Sequence, residues 1–335
     1  MGVVVSVSTM EMRSVLTMRM KTRFRLGGGF SRLKASSYHL TQLLSFPVAG
    51  GVSDPRAMAS MISSPPPLNP QHDIHAVAAK GFDVDAHTYE SNRPSYPAAA
   101  VSDLCIHLHL NPERSHVLDL ASGSGKFTRL LLPHCLKLTA VEPSPSMRSA
   151  FANILPNIQV LDGSASAIPL ASASQDAVVI AQAFHWFANL RSLREIHRVL
   201  KPGGRLGLIW NLEDRHAKKW VASLRDLYER YEMGTPQYRL GLWRGVWGTA
   251  EARELFTELE KGGRFEHEMV CTEEMVYGRV VSKSYIACWP AEEKESLRER
   301  VLQALRSAED VERDAGGLIR YPYKTEVFWC EKRSG

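Results

Sequence analysis

The chain has 335 residues, 44% hydrophobic and 23% charged, enough for one large globular domain with an inserted cap. Its net charge of +5 is unevenly placed: residues 1–70 hold eight Lys or Arg against Glu11 and Asp54, whereas 71–335 carry a net −1, so the body offers no basic surface for nucleic acid. No apolar run approaches the ~20 residues that span a bilayer, and the five cysteines form no Cys-x-x-Cys pair and have no histidine at metal-ligand spacing, which argues for reduced thiols and against a metal or membrane role.

Residues 1–70 are rich in Arg, Ser and Met and end in Ser63-Ser-Pro-Pro-Pro-Leu-Asn-Pro70. Two readings stay open. The segment is a mitochondrial transit peptide, basic and acid-poor, or a disordered extension bypassed by initiation at Met58 or Met61, leaving a cytoplasmic protein. Either way it lies outside the fold, and the globular part is expected over 71–335.

A helix begun by proline is predicted over 97–110 and stopped by Asn111-Pro112. The apolar run His116-Val-Leu-Asp-Leu120 then reads as a buried strand that breaks at Ala121-Ser-Gly-Ser-Gly125 and opens into the helical pattern Phe127-Thr-Arg-Leu-Leu-Leu132. Gly123 and Gly125 allow φ > 0 and close approach of a ligand to backbone amides at a helix start. Three uses of such a turn are separable by spacing. A Walker loop needs glycine five residues before Gly125-Lys126 and Ser or Thr after it; Leu120 and Phe127 stand there instead. A dinucleotide fingerprint wants a third glycine where Thr128 stands. The remaining use sets an acid on the strand before the turn, Asp119, and a second at the end of the next strand, Glu142. The 23-residue offset between them is close to the ~20 at which a carboxylate accepts ribose hydroxyls.

A helix from about 143 to 154 and a strand over 158–162 follow, then Gly163-Ser-Ala165. Asp176-Ala-Val-Val-Ile-Ala181 is a strand buried on both faces, as in parallel sheets. Just past its carboxyl end, where open α/β sheets hold ligands, comes Gln182-Ala-Phe-His-Trp-Phe187. Its aromatics either border a ligand or staple the next helix to the sheet, the second reading suiting Phe187. An amphipathic helix over 190–200, the stop Lys201-Pro-Gly-Gly204 and a strand over 205–211 complete four right-handed βα units. Trp210 and Asn211 end at the same carboxyl edge. A charged helix over 216–231 and an irregular stretch with Trp243 and Trp247 follow.

These blocks resemble a class I S-adenosylmethionine-dependent methyltransferase, and more narrowly the small-molecule group that includes trans-aconitate methyltransferases. The resemblance rests on 117–128, 139–147, Gln182–Phe187 and Glu195-Ile-His-Arg-Val-Leu-Lys-Pro-Gly-Gly204 in that order, and extends from about 81 to 332. It implies a Rossmann-like doubly wound α/β sheet of seven strands, mostly parallel with an antiparallel last strand over 317–330, a sixth strand over 265–276 and a helical cap within about 212–314. The cap would include a helix over 278–289 carrying Ser282, Ser284 and Tyr285, and a solvated helix over 291–314. Trp220, Trp243 and Trp247 line the cap or serve as core.

The resemblance also implies site residues. Tyr89 and Arg93 match a segment that folds over the cofactor, with Arg93 gripping the methionine carboxylate or, alternatively, pairing with an acid such as Glu90. Asp119, Ala121, Gly123, Gly125, Glu142 and Gln182 would surround S-adenosylmethionine. Met147 would pack on adenine or be plain core, and Ser164 and Ala165 would meet the adenine edge. His185, Trp186 and Asn211 would face a small-molecule acceptor, in a monomer or weak dimer. Methyl transfer needs mainly alignment and exclusion of water, which contributes on the order of 7–11 kcal/mol. A carboxylate acceptor needs no base, while an alcohol, phenol or protonated amine does, and His185 is the candidate to orient or deprotonate it. Two rivals use the same turn: a nicotinamide-dependent oxidoreductase and a non-catalytic protein that binds the cofactor.

Overall fold

The computed structural model describes Val77 and residues 90–334, so Tyr89 and the basic segment 1–70 lie outside the described residues. Seven strands form one sheet: β1 (His116–Leu120), β2 (Lys137–Val141), β3 (Gln159–Leu161), β4 (Gln175–Ala181), β5 (Leu200–Glu213), β6 (Glu260–Cys271) and β7 (Ile319–Glu331). Their order is β3-β2-β1-β4-β5-β7-β6. β1 runs parallel to β2 and β4, β4 parallel to β5, and β7 antiparallel to β5 and β6. Strand order therefore reverses beside β1, and the carboxyl ends of β1 and β4 open one crevice.

Alternation along the central strands builds two cores. Leu118, Leu120, Val178 and Ile180 face the helix Leu190–Val199, which buries Leu193, Ile196 and Val199. Val117, Ala177 and Val179 face the other way onto the helix Ala98–His107, which buries Ala100, Val101 and Leu104. Side chains of period two on a strand leave no third choice. A separate cluster packs the cap: Trp220, Leu224 and Tyr228 of Lys219–Glu229, Val276 and Val280 of Glu273–Val281, and Leu297, Val301 and Leu305 of Ala291–Ser307, all against Tyr321 and Tyr323 of β7.

Boundaries moved where the apolar pattern was weak. The sixth strand starts and stops earlier than 265–276, because Thr272 accepts a hydrogen bond from Met275 N and begins a helix with Glu273 and Glu274 in its first turn. The expected helix over 278–289 is two pieces, Glu273–Val281 and Ser284–Ala287, broken at Ser282-Lys283. Among the tryptophans, Trp220 (2% exposed) and Trp243 (3%) are core, whereas Trp247 is partly buried against it.

Candidate active site

The glycine turn is shaped by left-handed backbone. Ala121 (φ 60°), Gly123 (φ 56°), Gly125 (φ 83°) and Gln182 (φ 61°) all have positive φ, at the carboxyl ends of β1 and β4. For alanine and glutamine such conformations cost on the order of 1–3 kcal/mol each, and they concentrate at sites of function. The two glycines do different work. A Cβ on Gly125 would stand 2.8 Å from Phe151 and Leu155, so this glycine lets the helix Pro145–Ile154 close on the turn. A Cβ on Gly123 would meet nothing within 4 Å among the described residues and would project into open space.

Two buried acids flank the turn. Asp119 Oδ2 accepts from Thr128 Oγ1 at 2.6 Å, while Oδ1 is buried with no partner among the described residues, as is Ser122 Oγ. Glu142 accepts from Gly123 N through Oε2 and from Ser144 N through Oε1, both at 2.9 Å. Burial pushes both carboxyls up to about 7. Met147, Ser164 and Ala165 are all buried; Met147 N donates to Ser144 Oγ, and Ser164 Oγ lies 3.2 Å from Ser166 Oγ.

Lys126, set aside as a phosphate ligand by its spacing, has another task. Its Nζ donates to the carbonyls of Glu90 (2.6 Å) and Arg93 (2.8 Å), while Ser124 Oγ donates to Glu90 Oε2 at 2.5 Å and Arg129 pairs with the same carboxylate. The turn thus clamps the segment entering the fold. Arg93 reaches across to the cap, donating to the Ser282 carbonyl at 2.7 Å.

Two cavities meet here. One is lined by Arg93, Ala121, Gly123, Lys126, Gln182 and Asn211; the other by His185, Trp186, Glu213, Tyr228, Lys283 and Tyr285. Arg93, Gln182, Asn211 and Arg279 border both. Trp210 Nε1 donates to His185 Nδ1 at 3.2 Å, so the neutral imidazole keeps its proton on Nε2. Burial first, and then Arg93, depress this ring to about 3. His185 therefore presents a donor, and the expectation that it deprotonates the acceptor does not suit this tautomer. Asn211 is spoken for at both ends of its amide: Nδ2 donates to Ser95 O at 3.0 Å and Oδ1 accepts from Thr325 Oγ1 at 2.5 Å. Phe184 is fully buried, with rings of Phe187, Trp243 and Trp247 around it, so these aromatics staple the loop that carries His185.

Residues 118–208 match the methyltransferase domain family. Residues 118–208 carry a class I S-adenosylmethionine-dependent methyltransferase domain. It is 44% identical over 136 residues to an uncharacterised methyltransferase-like protein of Schizosaccharomyces pombe, covering 40% of this chain and 53% of that one. It is 45% identical over 126 residues to an uncharacterised methyltransferase of Mycobacterium tuberculosis, covering 38% and 50%. The chain thus spans about half the length of the curated relatives it matches. A solved structure from Anaeromyxobacter dehalogenans, described as a candidate type II methyltransferase, shares the fold with a TM-score of 0.53 at 21% identity, over 72% of this chain and 97% of that one. In the methyltransferase domain, the glycine turn, Asp119, Glu142 and the Gln182–Phe187 loop all fall inside the matched residues, whereas Arg93, Asn211 and the cap fall outside them.

The sequence reading missed Glu213, Tyr228, Arg279 and Lys283 as cavity residues. A signal existed for one of them: Glu213 lies two residues beyond Asn211 on the same strand, and so on the same face.

Proposed function

We propose that this protein transfers the methyl group of S-adenosylmethionine to a small molecule, and that the accepting atom is a carboxylate oxygen. The observation that carries the reading is the pair of cavities joined at Arg93, Gln182, Asn211 and Arg279, one against the glycine turn and the other against the cap. The residues beside the turn suit the cofactor: an orphaned Asp119 Oδ1, an open space above Gly123, and Glu142 poised on two backbone amides.

In this reading Glu142 accepts the ribose hydroxyls, Arg93 faces the methionine carboxylate, and Met147, Ser164 and Ala165 border adenine. Tyr89 belongs to the same set by its motif alone. Ala121, Gly123, Gly125 and Gln182 shape the space for the sulfur end. Bound there, the cofactor would supply a methyl on cationic sulfur; an acceptor carboxylate oxygen would take it while the C–S electron pair stayed with sulfur, so no residue would have to move a proton. That balance matches a site whose histidine is a donor. His185 Nε2–H and Trp186 would orient the acceptor, and Asn211 is a positioning residue that ties β5 to Ser95 and β7. Opposite charges cancel as the bond forms, so a water-poor pocket favours the transition state over the separated ions.

The test is incubation of the purified chain with S-adenosylmethionine carrying an isotope-labelled methyl and a small-molecule extract fractionated by charge. Label in base-labile methyl esters supports the reading. Label confined to base-stable ethers or amines excludes the carboxylate class, and no transfer at all, with the cofactor bound, points to a binding protein.

A further inference from the structure

The cap side of the acceptor cavity holds an arrangement of charge that the roles above leave unused. Glu213, at the carboxyl end of β5, is 2% exposed. One of its oxygens meets two cations, Arg279 Nη2 at 2.8 Å and Lys283 Nζ at 3.1 Å. Arg279 sits in the helix Glu273–Val281 and is 7% exposed; Lys283 follows at the break before the next helix. Lys283 also lies over the Tyr228 ring, 4.1 Å from its centroid.

The other acids of this cavity do not balance the pair, because each is matched elsewhere. Glu229 is shared by Arg225 at 2.6 Å and Arg239 at 3.1 Å, and Glu232 pairs with Arg239 and accepts from Tyr285 Oη at 3.4 Å. One buried carboxylate thus faces a buried guanidinium and a largely enclosed ammonium, and Arg93 borders the same space. A charge left uncompensated away from water is costly, and a group so placed either finds a counter-ion or gives up its charge. Lys283 shows that pressure: burial first and then Arg279 lower it to about 7. Burial alone would raise Glu213, yet Arg279, Lys283 and Arg225 hold it ionised well below the usual carboxylate range. With Lys283 protonated, the group therefore carries an excess positive charge that an anion would balance.

We infer that Arg279 and Lys283, held side by side by Glu213, recognise a carboxylate of the acceptor and so select small organic acids over neutral molecules. A guanidinium fork and an adjacent ammonium suit a planar carboxylate. The inference rests on reading this cavity as the acceptor side of a methyltransferase. It adds that an arriving anion restores the proton to Lys283, so binding near neutral pH takes up a proton.

The experiment uses the full chain saturated with S-adenosylhomocysteine, so that the cofactor's own carboxylate site is filled. Acetate, malonate, benzoate and phosphate are titrated against sodium chloride at matched ionic strength, by thermal shift and by calorimetry in two buffers of different ionisation enthalpy. At least one carboxylate is expected to stabilise saturably, with proton uptake near pH 7.5. Arg279→Gln should weaken that carboxylate by tenfold or more while S-adenosylhomocysteine affinity changes less than about threefold; Lys283→Arg should keep the binding and lose the proton uptake. The inference is overturned if no carboxylate exceeds chloride, if phosphate binds more tightly than every carboxylate, or if Arg279→Gln loses the nucleoside as strongly as the acid, which would assign this arginine to the cofactor. Should Arg279→Gln not fold, the anion series on the unaltered chain and the Lys283→Arg proton count decide alone. Failure of S-adenosylhomocysteine to bind at the outset defeats the methyltransferase reading itself, whereas its binding without any acid defeats this inference only.

Discussion

Trp210 donates its indole N–H to Nδ1 of His185, 3.2 Å away, and this single bond fixes what the histidine can do. Indole is a donor only, so Nδ1 must be unprotonated, and the neutral ring carries its proton on Nε2. With the ring depressed to about 3, His185 stays neutral across the working range of pH. We expect His185→Gln, which keeps an amide donor, to lower kcat by no more than about tenfold and to leave the shape of the pH–rate profile between 5.5 and 8.5 unchanged. An inflection near 6.5 that disappears in the variant would show the ring acting as a base.

Cofactor affinity should depend on pH through Glu142. Its carboxyl is raised to about 7 by burial, so in the cofactor-free protein the folded state binds more protons than the unfolded chain between about 4.5 and 7. This contribution to stability is fully present below the unfolded value and is lost as pH rises through about 7. Cofactor binding has the opposite preference, because the ionised carboxylate is the better acceptor for ribose hydroxyls. Affinity for S-adenosylhomocysteine is thus expected to fall by up to about tenfold per unit as pH drops below 7. Calorimetry from pH 5 to 8 checks this, and Glu142→Gln should bind weakly with a flatter profile.

The two turn glycines should fail differently. Gly125→Ala places a methyl 2.8 Å from Phe151 and Leu155 at φ 83°, so a loss of roughly 2–4 kcal/mol of stability is expected from strain and overpacking together. Gly123→Ala meets no atom of the described residues within 4 Å and should cost only about 1–2 kcal/mol of backbone strain, yet reduce cofactor affinity severely, because its methyl occupies the open space. Paired measurements of unfolding free energy and binding separate the two outcomes. Equal effects on binding and stability at Gly123 would contradict the assignment of that space.

Glu90 is the point at which the turn grips the incoming segment, through Ser124, Lys126 and Arg129. Burial would raise this carboxyl, but hydrogen bonds from Ser124 and Arg129 bring it below its ordinary value. The contact is partly solvated, so its loss in Glu90→Gln should cost under about 1 kcal/mol of stability. Release of S-adenosylhomocysteine is expected to quicken several-fold, since the clamped segment includes Arg93. Stopped-flow dissociation with unchanged rates in Glu90→Gln would remove the clamp from the account.

How much of this was legible beforehand follows from the kind of pattern involved. β1 was read to the residue, because an apolar run ending in a glycine turn has few other interpretations. Spacing singled out Asp119 and Glu142, and both flank the turn, bonded to Thr128 and to Gly123 N. β6 was misplaced because it is an edge strand whose outward positions carry Glu260, Lys261, Glu266 and Glu268, with Gly262-Gly263 interrupting the alternation. Thr272 followed by two glutamates was a helix start that charge content disguised. Leu242–Gly248 is a 3₁₀ segment whose threefold period hides from a search for 3.6. The Glu213, Arg279 and Lys283 group was illegible for a deeper reason: each residue looks like an ordinary surface charge, and only the packing of cap on sheet reveals that all three are enclosed. Lys126 shows the converse, a residue that spacing set aside as a phosphate ligand without assigning it a task, and whose contacts bind it to the backbone of Glu90 and Arg93.

The central claim is that the crevice between Asp119 and Gln182 holds the nucleoside of S-adenosylmethionine, and titration calorimetry of S-adenosylhomocysteine into the folded chain tests it most directly. One saturable site is predicted, weakened tenfold or more by Glu142→Ala and by Gly123→Ala, with no comparable response to NAD. Absence of binding heat for S-adenosylhomocysteine on folded protein, or a saturable response to NAD in its place, would contradict it.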